Sequence, residues 1–126
     1  MAALTVLHTR LVVTILLFFG ALAIWGFVSY LRGQRISGSY KGALAIGELL
    51  MLAQFVIGAV LLFSGAQPAR LSVHILYGIV AIIGLPGAFA YTRGRDDRWE
   101  LLIYVTVCLF LCGIALRAMT TGRLPT

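Results

Sequence analysis

Charge is what this 126-residue sequence has least of: charged side chains make up 11% of it, and only four are acidic. Soluble domains carry about 25% charged residues, so this composition cannot cover a globule with a water-facing surface. Histidine and cysteine are just as scarce, at two each. Two histidines and two cysteines on one helix supply neither the ligands nor the spacing of a zinc site. Phosphate-loop and hydrolase signatures are also missing, so independent catalysis is not expected. No segment alternates apolar and polar residues over about ten positions, which excludes the strands of a membrane barrel.

What is present is hydrophobicity, at 61% of the residues. A transmembrane helix needs about 20 mostly apolar residues to cross a hydrocarbon core about 30 Å thick. Four runs meet that length: Leu11 to Leu31, Gly42 to Leu62, Leu71 to Thr92 and Trp99 to Ala118. The predicted fold is an all-α, four-transmembrane-helix bundle forming a single domain over residues 1–126. Ala21-Leu22-Ala23 behind Leu11 to Phe19 has the look of a signal-peptide cleavage site. The apolar run continues to Leu31, however, and a retained span is expected.

The formal net charge of +6 is carried by loops beside the spans, not by a basic stripe with exposed aromatics, so nucleic acid is not an expected partner. Arg32, Arg35, Lys41, Arg93, Arg95 and Arg98 fall at one end of the bundle, and Arg10, Arg70, Arg117 and Arg123 at the other. The positive-inside rule places the first group in the cytoplasm and both termini outside, in a plasma or bacterial-type inner membrane. Cys108 and Cys112 share one face of the fourth helix and are expected to serve packing.

The two halves share short words. Tyr30-Leu31-Arg32-Gly33 ends the first helix and Tyr91-Thr92-Arg93-Gly94 the third; Glu48-Leu49-Leu50 and Glu100-Leu101-Leu102 belong to the second and fourth. A duplicated two-helix unit leaves such a pattern, as does chance in apolar sequence. Pro86, between Gly84 and Gly87, is expected to bend the third helix.

Both histidines, His8 and His74, lie at the terminal ends of helices running in the same direction. Imidazole is the common axial ligand of haem iron, and a helical bundle is a standard frame for it. Gly78, one turn beyond His74, leaves room for a flat macrocycle, and Arg10, Arg70 and Arg117 stand at the level where propionates need cations. Two other readings stay open: histidines facing headgroups and water, or separate ligation of chlorophyll-type pigments.

Gln54-Phe55-Val56-Ile57-Gly58, a proline in the following hairpin and His74 opening the third helix resemble one four-helix half of haem A synthase. Leu7-His8-Thr9-Arg10 is loosely similar to the His-Arg that supplies the other ligand in that family. The resemblance covers helices one to three and implies His8 and His74 as a bis-histidine pair for one haem b near the outer face. The family carries a glutamate one turn before its first histidine; Thr5 stands there in this chain, so haem oxygenation is not implied.

Two histidines allow one bis-histidine haem per chain, too few to carry electrons across the bilayer. The function expected is electron transfer or haem holding at the outer face. The partners this admits are the lipid bilayer, an extracytoplasmic electron partner, a larger membrane redox complex and a second copy of the chain. One alternative is a non-catalytic subunit of a respiratory or photosynthetic complex that binds pigment or lipid. A weaker one is a proton-coupled transporter using Glu48, which lies about 10 Å beyond the predicted start of its helix. Gln54 shares a face with Gly47, Met51 and Gly58, a small-residue face suited to close helix contact, and its amide is expected to bond another helix or a cofactor edge.

Overall fold

The computed structural model describes residues 2–65 and 71–123. Four helices account for nearly all of them: α1 (Ala2–Leu31), α2 (Gly38–Phe63), α3 (Leu71–Thr92) and α4 (Arg98–Arg123). Each is long and apolar enough to span a bilayer. Helices suit that solvent because every internal N–H and C=O finds its partner within the same segment.

The helices form a four-sided antiparallel bundle in which α1 and α3 each pack against α2 and α4. The α1–α4 seam is the most extensive and the α2–α3 seam the slightest. Ile15, Phe19 and Leu22 of α1 meet Tyr40 of α2 and Leu101, Cys108 and Leu111 of α4 in the fully buried core. Large apolar residues such as Leu17, Ile24 and Phe63 point outward, as a lipid-facing surface requires.

Small residues set how closely the helices approach. A Cβ on Gly47 would lie 2.8 Å from Phe19, and one on Gly84 would lie 3.0 Å from Leu111. In lipid, where apolar transfer gives no net drive between helices, such close van der Waals packing supplies the association. Tyr40 adds a polar tie, donating its hydroxyl to the Leu22 carbonyl at 2.9 Å.

Three helices exceed the predicted spans. α1 begins at Ala2, so His8 lies in its second turn and not before its start. Thr5, His8, Thr9 and Arg10 lower the hydropathy there without interrupting helical hydrogen bonding. α2 begins at Gly38 behind the N-cap Ser37, whose hydroxyl accepts from the Tyr40 amide. α3 has the predicted bounds and continues through Pro86, which leaves the Ile82 carbonyl without its intrahelical donor.

The two short loops lock together at one end. The Ile36 amide donates to the Asp96 carbonyl at 2.9 Å, and the Arg35 guanidinium reaches the Asp96 carboxylate at 2.6 Å. Arg98 donates to the Tyr30 carbonyl at 2.8 Å while lying over the Tyr30 ring. The hydrogen bond and charge of Arg35 hold the Asp96 carboxyl below the usual carboxylate range.

The shared words of the two halves end their helices differently. α1 closes with Gly33 in the left-handed region and Gln34 donating to Ser29, a glycine cap. After α3 both Arg93 and Gly94 take the left-handed region, and Gly94 donates to Phe89. The glutamates differ as well: Glu100 sits in the first turn of α4, Glu48 about three turns into α2.

Candidate functional site

His8 on α1 and His74 on α3 reach each other across the diagonal of the bundle, between helices that share no direct seam. Their ring centroids lie 6.3 Å apart with the planes inclined at 64°. Levelling Tyr30 with Tyr91 implies a height difference of about 7 Å between the histidines from the 1.5 Å rise alone. The tyrosines are not equivalent markers: Tyr30 packs edge-on to Trp99 beneath Arg98, and Tyr91 is 73% exposed.

The other two helices hold the pair in place. His74 hydrogen-bonds the backbone of Ala118 on α4. Gln54 on α2 donates through Nε2 to the His8 carbonyl at 2.8 Å, tying α2 to α1 at this level. One turn further along α2, Gly58 faces the His8 imidazole, and a Cβ there would lie 3.0 Å from its Cε1. Glycine is thus the residue that lets the Cε1 edge of this ring approach α2.

Two buried polar atoms here have no hydrogen-bond partner among the described residues, His8 Nδ1 and Gln54 Oε1. Buried polar atoms in folded proteins are nearly always satisfied, so these two leave hydrogen-bonding capacity open at this level of the bundle. Gly78 lies one turn from His74, and the Phe55 ring fills the space beside it, 3.3 Å from where a Cβ would be. Phe55 is itself 36% exposed on α2. Gly58 as a neighbour of His8 and Phe55 as a neighbour of Gly78 are not legible from spacing, although both fall within the Gln54-to-Gly58 run.

The arginines expected near the site divide. Arg10 and Arg117 are exposed, and neither forms an ion pair among the described residues. Arg10 follows His8 by two residues, about 200° round the helix, so it leaves α1 on a different side. Arg117 precedes Ala118, the residue that bonds His74. Arg70 lies outside the described residues.

Among the described residues no three His, Cys, Asp or Glu side chains gather as cage ligands. The 6.3 Å centroid separation and the inclined planes describe an edge-to-face contact between the two rings.

Glu48 stands apart from the histidines. Counted from the observed start at Gly38 it lies about 15 Å along α2, deeper than the predicted start implied. Its Oε1 is buried without a hydrogen-bond partner among the described residues, and it lines a cavity of about 250 Å³ toward the loop end. Cys108 is fully buried in the core, and Cys112 Sγ lies 3.6 Å from the Leu16 carbonyl; both are free thiols that pack α4 against its neighbours.

Comparison with protein-family models, with characterised proteins and with solved structures gives no match to this chain.

Proposed function

We propose that this membrane protein is a small b-type cytochrome that binds one haem between His8 and His74 near the outer face. The observation that carries the reading is the meeting of the chain's only two histidines across the bundle diagonal, with ring centroids 6.3 Å apart. The orphaned His8 Nδ1 and the glycine cradle at Gly58 support it.

His8 and His74 would be the two residues that hold the haem iron. The His74 bond to the Ala118 backbone orients that ring, as outer hydrogen bonds do for metal-ligating histidines. Gln54 fixes the α1 backbone at His8 relative to α2, and Arg117, next to the residue that bonds His74, would supply a cation for a propionate at the terminal end. Bound haem supplies one-electron redox chemistry, with a potential set by its axial ligands and the polarity of its pocket.

In this reading the termini and the haem face outside, following the loop-charge bias of six basic residues against four. One haem at one face suits electron exchange with an extracytoplasmic partner, or with a larger membrane complex, or the holding of haem. The test is optical. Protein purified from cells with ample haem should show a Soret band and a reducible α band, and both His8→Ala and His74→Ala should lose the bis-histidine spectrum. A colourless wild-type protein under those conditions overturns the proposal.

A further inference from the structure

At the opposite end of the bundle, the slight α2–α3 seam opens into the cavity beside Glu48. Leu44 and Ala45 of α2, Leu85, Pro86 and Phe89 of α3, and Tyr104 of α4 form its walls. Ala45, Pro86 and Phe89 are exposed, so its mouth faces the surface that lipid covers. Its interior is apolar apart from the Glu48 carboxyl, whose Oε1 has no hydrogen-bond partner among the described residues. The Tyr104 hydroxyl already bonds Thr92 at 3.2 Å.

Charge selects the occupant. Lys41 and Arg95 border the cavity, and both are paired, Lys41 with Asp96 at 3.7 Å and Arg95 with Glu100 at 3.4 Å, so the rim is charge-balanced and favours neither a cationic nor an anionic headgroup. A neutral molecule arriving through lipid remains. The volume of about 250 Å³ is below the drug-sized range of about 300–1,000 Å³, enough for a ring and not for a whole lipid. Phe89 and Pro86 offer flat apolar walls, and a carboxyl can donate to a ring carbonyl or accept from a ring hydroxyl.

We infer that this cavity binds the headgroup of a lipid-soluble quinone or its quinol, with Glu48 as the hydrogen-bond partner of one ring oxygen and the tail leaving through the α2–α3 seam. The site stands independently of the haem reading, since its residues share nothing with the His8–His74 pair.

The test is equilibrium binding to the detergent-solubilised full chain by calorimetry, using a decyl-tailed benzoquinone as probe and decylbenzene as control. Wild type should bind the quinone saturably at one per chain and ignore decylbenzene. Glu48→Leu should weaken quinone binding about tenfold or more, the scale of one hydrogen bond to a carboxyl. Glu48→Gln, which keeps a donor, should stay within about threefold of wild type. Ala45→Phe, which fills the mouth, should abolish binding. Equal uptake of quinone and decylbenzene by wild type overturns the inference, as does unchanged affinity in Glu48→Leu or in Ala45→Phe. Should either variant fail to fold, the wild-type preference between the two probes still decides.

Discussion

Gly58→Ala is the smallest change that reaches the histidine pair, and its effect follows from one distance. The added methyl would lie 3.0 Å from His8 Cε1, whereas carbon atoms in contact settle at about 3.5–4.0 Å. The imidazole must therefore retreat by about half an ångström or more, roughly the tolerance within which a binding constellation has to be held. Haem affinity should fall about tenfold or more, equivalent to about 1.4 kcal/mol. Loss of helix is not the cause, because alanine is the better helix former by about 1 kcal/mol. Gly113→Ala provides the control, since nothing lies within 4 Å of its added methyl. Haem titration followed at the Soret band checks both variants in detergent. A Gly58→Ala protein that binds haem as tightly as wild type would refute the placement of His8 as a ligand held against α2.

Three further outcomes are expected. Phe55→Ala empties the space beside Gly78 and should accelerate haem loading severalfold in a stopped-flow Soret assay; slower loading would make Phe55 a wall of the site. Gln54→Leu removes the bond to the His8 carbonyl and should destabilise the bundle by about 0.6 kcal/mol and at most about 1.7, the range for interhelical hydrogen bonds in membranes, measured by unfolding in mixed micelles. The Arg35–Asp96 contact depresses the Asp96 pKa, so its contribution is fully present above the unfolded value of about 3.9 and is lost as pH falls through the lower folded value. Protease cutting of the loops should therefore rise in wild type only on strong acidification, and Arg35→Gln should show that susceptibility already at neutral pH.

The bundle was legible because hydropathy and length alone decide what can cross a bilayer, and α3 from Leu71 to Thr92 was read to the residue. The ends of the other helices were obscured by polar residues that helices tolerate near membrane surfaces. Ser37 was a readable signal, since a serine before an apolar run is a common N-cap, and using it would have started α2 at Gly38. The histidines were found by their scarcity, but their meeting was not, because it depends on how α1 and α3 lie across the diagonal. Phe55 filling the face of Gly78 and the orphaned oxygen of Glu48 depend on neighbours distant in sequence, to which no spacing rule applies.

The central claim is tested most directly by low-temperature electron paramagnetic resonance of the ferric, haem-loaded protein. Two imidazole ligands give low-spin iron, and planes inclined at 64° should give the strongly anisotropic form of that signal in place of the rhombic one from parallel rings. A high-spin signal, showing iron held by one histidine or none, would contradict the assignment of His8 and His74 as an axial pair.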